Sequence, residues 1–265
     1  MQLALASRIA IVTGASQGIG SAIATMLAAE GARVVVTARR QRGIEDVARA
    51  ITARGGEAIA LPCDARSPES IASLAGEVRE RFGGVDILIN NAGGIHGFAT
   101  FDGLTDADWI ATYEVNVLSV VRMVRAFRPM LAGRDARIVN IASETGIQPE
   151  RVYPHYGAAK AALINLSKSL SKELGRDGIA VNCVSPGIIR TEGVASGWEE
   201  TARTKNISVE EVERQFMTLR RAGVVRGTPG TAEEVASLVT FLCSARASFI
   251  TGGNFRVDGG AVSAV

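Results

Sequence analysis

Tyr156 and Lys160 could exchange a proton with a bound substrate, because a phenol and an ammonium lie four residues apart in the string YGAAK at 156–160. The surrounding apolar pattern predicts a helix, and a four-residue spacing on a helix puts both side chains on one face. An unperturbed tyrosine has a pKa of about 10, and a neighbouring positive charge favours the phenolate. We therefore predict that Lys160 lowers the pKa of Tyr156, which then acts as a general acid or base.

Ser143 is a second residue that could act on a carbonyl group. It follows the strand-like run 138–141, where its hydroxyl could hold a carbonyl oxygen as negative charge develops. Ordinary explanations stand beside these roles, because Ser143 could cap a strand end and Tyr-x-x-x-Lys pairs occur on many helices. The catalytic interpretation gains weight only if the chain also binds a nucleotide.

The string TGASQGIG at 13–20 predicts such a nucleotide site. The β-branched run 8–12 indicates a buried strand, and it leads through three glycines into a helical pattern. Glycines let the main chain approach a pyrophosphate, and the free N–H groups of the first helical turn point at it. Three glycines can also fall together at a turn without any ligand. The predicted cofactor-binding turn comprises Gly14, Ser16, Gln17, Gly18, Ile19 and Gly20.

Arg39 and Arg40 indicate which dinucleotide is bound. They follow the strand-like run 34–37, and no carboxylate appears before Glu45. An acid near this position would accept hydrogen bonds from the ribose 2′-hydroxyl of NAD, whereas an arginine accommodates the 2′-phosphate of NADP. The two arginines could also be solvated charges ahead of a helix. We predict NADP(H) as the cofactor.

Alternation of strands and helices predicts an α/β fold. Strand-like runs lie near 8–13, 33–37, 57–61, 86–90, 137–142, 179–185 and 254–257, with helical patterns between them. This order predicts one Rossmann-type, doubly wound parallel sheet of about seven strands, flanked by helices. No linker divides the chain, so we expect a single domain over 1–265. A segment near 191–229 leaves the sheet pattern and is expected to form a substrate lid.

Composition excludes several classes of protein. With 47% hydrophobic residues, the chain can bury a large core, and a net charge of +2 argues against a nucleic-acid partner. Residues 1–7 are too short for a signal peptide, and no apolar run reaches membrane-spanning length. Two histidines make a metal site improbable. The cysteines share no close spacing, so we expect reduced core residues in a cytoplasmic protein: Cys63, Cys183 and Cys243.

Six motifs resemble those of the short-chain dehydrogenase/reductase family, in the family's order and over essentially the whole chain. They are TGASQGIG, NNAG at 90–93, Asn116, Ser143, YGAAK and PGIIRT at 186–191. The resemblance implies that Asn116, Ser143, Tyr156 and Lys160 are catalytic. Asn116 would support a water that relays protons to Lys160, and Lys160 would also hold the nicotinamide ribose. Asn116 could instead satisfy local backbone among its apolar neighbours.

The resemblance also implies cofactor contacts outside the glycine turn. Asp64 should meet the adenine, 91–93 should line the ribose side, and Ile189 with Thr191 should contact the carboxamide. The implied set is Asp64, Ala65, Asn91, Ala92, Gly93, Pro186, Gly187, Ile189 and Thr191.

These features predict an NADP(H)-dependent reductase of a ketone or a 3-oxoacyl-type substrate, a class to which the resemblance also points. The cavity walls are expected from 94–101, 146–153 and an amphipathic helix in the lid, with one stripe formed by Val209, Val212, Phe216 and Leu219. Exposed arginines could attract an acidic substrate, although such charges seldom do: Arg220, Arg221 and Arg226. Two alternatives remain, an NAD-linked alcohol or sugar dehydrogenase working oxidatively and a non-catalytic nucleotide sensor.

Two further expectations concern surfaces. His155 should point away from Tyr156, towards the substrate mouth or solvent, because adjacent residues on a helix diverge by about 100°. Family members assemble through two helices, here about 105–131 and 153–175, so we expect a homotetramer or a homodimer. Small residues would let these helices approach closely: Gly157, Ala158, Ala159, Ala161 and Ala162.

Overall fold

Residues 3–263, the part of the chain that the computed structural model describes, form one parallel sheet of seven strands. The strands are Ile9–Thr13 (β1), Arg33–Thr37 (β2), Glu57–Ala60 (β3), Ile87–Asn90 (β4), Ala136–Ile141 (β5), Ile179–Pro186 (β6) and Asn254–Val257 (β7). Their order across the sheet is β3-β2-β1-β4-β5-β6-β7. The predicted Rossmann-type fold is confirmed, and each predicted strand boundary lies within one residue of the observed one.

The strand order reverses between β1 and β4, which places a crevice at the carboxyl ends of these two strands. Thr13 joins the two ends. Its hydroxyl donates to the Ile89 carbonyl at 3.1 Å and accepts from the N–H groups of Asn91 and Ala92, both at 3.0 Å. The glycine turn and the NNAG motif are therefore held side by side at the crevice.

Nine α-helices connect or flank the strands within 3–263. They are Gly18–Ala29 (α1), Gln41–Ala53 (α2), Pro68–Phe82 (α3), Asp106–Tyr113 (α4), Ser119–Leu131 (α5), Pro154–Leu174 (α6), Glu192–Lys205 (α7), Val209–Arg220 (α8) and Ala232–Cys243 (α9). A π-helical turn, Glu114–Leu118, separates α4 from α5. The helix predicted over 105–131 is thus interrupted at Asn116, which lies in this turn.

The two faces of the sheet carry separate hydrophobic cores. Val34 and Val36 of β2 pack on one side with α1, α2 and α9, whereas Val35 packs on the other side with α3, α5 and α6. Successive side chains of a strand point to opposite faces, so a continuous apolar run serves both cores. The three cysteines are buried free thiols, as expected of core residues.

Within residues 3–263, no helix combines the length and the apolar character that a membrane span requires. In the same range, no group of three or more histidine, cysteine or acidic side chains is arranged to hold a metal ion.

Candidate active site

Gly14 and Gly18 form the turn between β1 and α1 in the left-handed region, with φ of 63° and 58°. Gln17 precedes α1 without a side-chain cap, so no side chain covers the first N–H groups of the helix. Gly20 has a packing role, because a Cβ there would lie 2.5 Å from both Asn91 Nδ2 and the Gly14 carbonyl oxygen. The turn therefore offers uncapped donors at the positive end of a helix dipole, which suits an anion.

A cavity of about 380 Å³ lies along this turn, and we name it the glycine-turn cavity. Arg39 and Arg40 border it from the end of β2, and both are exposed. Arg40 donates to Gln17 Oε1 at 3.2 Å, and Arg39 has no hydrogen bond among residues 3–263. Two guanidinium groups and no acid at the end of β2 fit a 2′-phosphate better than a ribose hydroxyl.

Asp64 and Ala65 border the same cavity from the loop after β3. The Asp64 carboxylate is paired with Arg66, whose Nη2 lies 2.9 Å from Asp64 Oδ2, and this hydrogen bond lowers the pKa of Asp64. The position of Asp64 fits the implied contact with adenine, but its carboxylate already has a cationic partner. The adenine contact stays a prediction.

Asn91, Ala92 and Gly93 connect the glycine-turn cavity to the rest of the site. Asn91 Nδ2 donates to the carbonyls of Thr13 at 2.9 Å and Gly14 at 3.1 Å, so its amide holds the turn in place. Ala92 and Gly93 border the cavity directly. A Cβ at Gly93 would lie 2.7 Å from Asn116 Oδ1 and 3.2 Å from Lys160 Nζ, so glycine allows these side chains to approach.

A second cavity, of about 910 Å³, shares Gly93, Gly94 and Ile95 with the first, and we name it the tyrosine cavity. Ser143, Tyr156 and Lys160 line it. The other predicted cofactor contacts on this cavity are Ile19, Asn91, Pro186, Gly187, Ile189 and Thr191. Three of the four predicted catalytic residues thus meet in one cavity that continues towards the glycine turn.

Lys160 and Tyr156 lie on the same face of α6, with Lys160 Nζ 5.5 Å from the centre of the Tyr156 ring. Lys160 Nζ donates to the Ile141 carbonyl at 2.8 Å, and burial lowers the pKa of Lys160 to about 8. Burial also raises the pKa of Tyr156 to about 12. The expected lowering of the Tyr156 pKa is therefore wrong for the protein without a bound cofactor. Desolvation of the phenol raises this pKa and outweighs the influences that lower it.

Ser143 has both of the roles that its sequence position suggested. Its Oγ caps the 3₁₀ turn Glu144–Gly146 by accepting from the Thr145 N–H at 3.2 Å, and it also accepts from Thr145 Oγ1 at 2.9 Å. A hydrogen bond from Ser143 to Tyr156 acts against burial by lowering the pKa of the phenol. Since Ser143 accepts twice from Thr145, its single proton can be donated either to the Tyr156 hydroxyl or to a carbonyl oxygen bound in the cavity.

Asn116 is buried beside the cavity and satisfies local backbone. Its Nδ2 donates to the Gly94 carbonyl at 2.7 Å and the Thr112 carbonyl at 2.8 Å, and its Oδ1 accepts from the Gly94 N–H at 3.3 Å. The ordinary explanation of this residue therefore holds. A π-helical turn is nonetheless frequent at functional sites, and this one brings Asn116 to the Gly93–Gly94 segment shared by both cavities.

Comparisons with known proteins match this architecture. A family model described as enoyl-(acyl carrier protein) reductase matches residues 14–262. The chain is 39% identical to the 3-oxoacyl-(acyl-carrier-protein) reductase FabG of Salmonella typhimurium over 262 residues, which cover 96% of each protein. The chain belongs to the short-chain dehydrogenase/reductase family.

Solved structures of short-chain dehydrogenase/reductase proteins share the fold. L-Sorbose reductase from Gluconobacter frateurii, solved with NADPH and L-sorbose, superposes with a TM-score of 0.95 at 32% identity and covers 100% of both chains. A variant of actinorhodin polyketide ketoreductase, solved with NADPH, gives a TM-score of 0.88 at 36% identity over 97% of this chain and 98% of that one. This member of the family is therefore an oxidoreductase by descent.

The segment expected to form the lid contains two helices, α7 and α8, and the sequence pattern indicated α8. Thr191 caps α7, and Ile189 forms an isolated bridge with Gly230. The predicted stripe on α8 is partly wrong, because Leu219 is 78% exposed whereas Met217 is buried. The last turn of α8 packs through Met217 against Val224, which the helical period alone did not indicate.

His155 and Arg221 also differ from expectation. His155 is buried, and its Nε2 lies 2.6 Å from the His96 carbonyl oxygen, so it faces neither solvent nor the substrate mouth. Arg221 is paired with Glu144 at 2.8 Å and Glu150 at 2.7 Å, so it is not a free cation for an acidic substrate. Each of these contacts comes from a distant segment, which explains why local spacing did not reveal it.

The small residues of α6 differ in their exposure. Gly157 and Ala159 are buried within the chain, and a Cβ at Gly157 would lie 3.0 Å from the Thr145 carbonyl oxygen. Gly157 thus lets α6 pack on the segment after Ser143, and contact between subunits through α6 stays a prediction. Ala158 and Ala161 are exposed.

Sequence reasoning missed Glu144, which lines the tyrosine cavity. Glu144 is buried, and burial raises its pKa to about 7. The available signal was position, because Glu144 directly follows Ser143. Tyr153, which also lines this cavity, ends the wall expected over 146–153 and directly precedes α6.

Proposed function

We propose that this protein is an NADP(H)-dependent reductase that converts a carbonyl group into an alcohol, within the class EC 1.1.1.-. One observation carries the proposal. Ser143, Tyr156 and Lys160 line one cavity, and that cavity continues into a second one bordered by the glycine turn, Arg39 and Arg40.

The choice of NADP(H) rests on the end of β2. Arg39 and Arg40 border the glycine-turn cavity, and the residues before them, Thr37 and Ala38, carry no acid. A guanidinium attracts a 2′-phosphate, whereas a carboxylate would repel it. The NADPH in the solved L-sorbose reductase and actinorhodin ketoreductase supports the same choice.

The protein's own residues would manage the proton and the carbonyl oxygen. The nicotinamide, when bound, would supply the hydride. Tyr156 gives its proton to the oxygen, and its raised pKa keeps the phenol in the protonated form that reduction requires. Ser143 donates a hydrogen bond to the same oxygen as negative charge develops.

Lys160 and Asn116 would support this transfer. Lys160 holds the nicotinamide ribose, and a pKa lowered to about 8 lets its ammonium exchange protons near neutral pH. Asn116 fixes the Gly94 backbone at the junction of the two cavities and would support the water through which protons reach Lys160. The relay rests on family resemblance as well as on this position.

The substrate would be a ketone, including ketones of the 3-oxoacyl type. The 3-oxoacyl reductase relatives and the L-sorbose reductase structure both act on ketones by name, and they differ widely in polarity. Apolar side chains line much of the tyrosine cavity, among them Ile95, Phe98, Ile188, Val194, Trp198 and Phe216.

Assembly and location complete the proposal. Exposed apolar side chains on α4 and the π-helical turn suit a homotetramer or a homodimer: Ile110, Tyr113 and Leu118. Three buried free thiols suit a reducing compartment, and we propose the cytoplasm.

The test is cofactor consumption by purified protein against a panel of 3-oxoacyl thioesters, cyclic ketones, hydroxyketones and diketones, with NADPH and with NADH. We expect oxidation of NADPH with at least one ketone and weaker use of NADH. Equal or tighter binding of NADH would contradict the role of Arg39, and silence with every ketone would favour a nucleotide-sensing role.

A further inference from the structure

One wall of the tyrosine cavity is polar, and we name Glu144, Tyr153 and Arg221 its polar wall. Arg221 follows α8 and bonds to both of the others, with Nη1 2.8 Å from Glu144 Oε1 and Nη2 3.2 Å from the Tyr153 hydroxyl. Its Nη1 also donates to Glu150 Oε1 at 2.7 Å. With these three bonds, Arg221 organises the wall.

Two hydrogen-bonding positions on this wall remain unused among residues 3–263. Glu144 is 4% exposed, and its Oε2 has no hydrogen-bond partner. The Tyr153 hydroxyl accepts from Arg221 and donates to no acceptor in the described range. A buried polar atom without a partner is costly, and both residues line the tyrosine cavity, so a ligand in that cavity that donates one hydrogen bond and accepts another would satisfy both groups.

Two backbone features shape the surroundings of these positions. A Cβ at Gly187 would lie 2.8 Å from the Asp258 Cα and 3.0 Å from Glu144 Oε2, so glycine lets this loop approach both residues closely. Tyr153 adopts a left-handed conformation with φ of 53°, which is strained for a residue other than glycine. Its N–H bonds to the Ala99 carbonyl at 2.8 Å, and its ring centre lies 6.1 Å from that of Tyr156.

We propose that the polar wall binds a hydroxyl group of the substrate, which donates its hydrogen to Glu144 Oε2 and accepts one from Tyr153. The substrate is then a hydroxyketone whose hydroxyl lies close to the reacting carbonyl, since Glu144 and Tyr153 line the same cavity as Ser143 and Tyr156. This inference rests on the proposed reductase function and narrows its substrate class. A plain alkyl ketone or unsubstituted 3-oxoacyl chain has no hydrogen to donate to Glu144.

The chemistry of a hydroxyl suits this wall in either ionisation state of the acid. Burial raises the pKa of Glu144 to about 7, and the carboxyl group therefore changes its protonation near neutral pH. Arg221 opposes that rise, whereas Asp258 and Glu150 add to it. A hydroxyl can donate to the carboxylate and can accept from the protonated acid.

The test compares two matched ketones, 1-hydroxybutan-2-one and pentan-3-one, in which a methyl group replaces the hydroxyl. The ratio of their kcat/KM values with NADPH is measured for the wild type, Glu144→Gln and Tyr153→Phe. Comparing this ratio across variants cancels the intrinsic reactivity of each ketone. We expect the ratio to fall by about tenfold or more in each variant, whatever change either variant makes to the reduction of pentan-3-one itself.

Glu150→Gln is the matched control. Glu150 bonds to the same nitrogen of Arg221 but does not line the tyrosine cavity. The ratio of the two kcat/KM values in Glu150→Gln should therefore stay within about twofold of the wild-type ratio. A ratio unchanged in Glu144→Gln, or lowered equally in Glu150→Gln, would overturn hydroxyl binding. If circular dichroism shows that Glu144→Gln does not fold, Tyr153→Phe decides by the same criterion.

Failure of the inference is distinct from failure of the proposed function. If all variants reduce both ketones with the same ratio of kcat/KM values, the result contradicts hydroxyl recognition but still supports the proposed reductase function. No oxidation of NADPH with either ketone, or with ethyl 3-oxobutanoate as a plain 3-oxoacyl analogue, would overturn both.

Discussion

Desolvation shifts the pKa values of Tyr156 and Lys160 in opposite directions, up to about 12 and down to about 8. Spacing in the sequence revealed that the two side chains share a helix face, but it could not reveal how deeply each is buried. Burial disfavours the charged form of either group, so the phenol keeps its proton and the ammonium loses one more readily. Both shifts suit a site that delivers protons during reduction.

Glu144 gives the first prediction at the scale of residues, a pH-dependent stability. Its pKa is raised from 4.5 to about 7, so the folded protein binds more protons than the unfolded chain between these values. Wild-type stability therefore falls as pH rises through that window, by up to about 3 kcal/mol from this group. Glu144→Gln does not titrate, so the variant should gain stability relative to the wild type from about pH 5 to about pH 8. Urea unfolding at both pH values measures this, and a constant difference between the proteins would contradict it.

Arg39 gives the second prediction, on cofactor preference. Arg39→Ala should weaken NADPH binding by about ten- to a hundredfold, since it removes a charge-assisted bond to the 2′-phosphate, and should leave NADH binding nearly unchanged. Titration of each cofactor by fluorescence checks this. Arg49→Ala is the control, because Arg49 is exposed on α2 and pairs with Asp46 away from the cavity. Equal losses for both cofactors would contradict 2′-phosphate recognition.

At the scale of elements, the sequence revealed the strands and turns whose conformation is set by residues close together in the chain. Strand-like runs predicted all seven strands, and Gly14 with Gly18 predicted the turn before α1, because positive φ needs glycine. The π-helical turn and the surroundings of His155 depend on contacts with distant loops, which no local period encodes. The polar wall is of this kind as well, since three separate segments contribute to it.

Gly20 gives a prediction on the packing of α1. Gly20→Ala should destabilise the fold by about 1–3 kcal/mol, because the new Cβ would lie 2.5 Å from Asn91 Nδ2 and the Gly14 carbonyl. Gly76→Ala is the matched control in α3, where a Cβ meets nothing within 4 Å and should stabilise by about 0.5–1 kcal/mol. Thermal unfolding of both variants measures the difference. Equal effects would contradict the role assigned to the Gly20 contact.

At the scale of the whole molecule, one sheet with two cores positions both cavities along its carboxyl edge. The alternation visible in the sequence predicted a parallel, doubly wound sheet, whereas the strand order that creates this edge comes from the structure. Single-domain organisation over 1–265 stays a prediction, as does the assembly.

Assembly gives the prediction at this scale. Light scattering at micromolar concentration should report a homotetramer, and Ile110→Lys should lower the mass, because Ile110 is 67% exposed on α4. Leu219→Lys is the control, since Leu219 is equally apolar and 78% exposed but lies on α8. A monomeric wild type would contradict the expected assembly.

The most direct test concerns the Tyr156 hydroxyl. NADPH oxidation with the best ketone substrate and NADPH affinity are measured together for Tyr156→Phe and the wild type. We predict that Tyr156→Phe binds NADPH with nearly wild-type affinity and loses turnover by about a hundredfold or more, because the proton donor is missing. Near-normal turnover with intact NADPH binding would contradict the proposed chemistry.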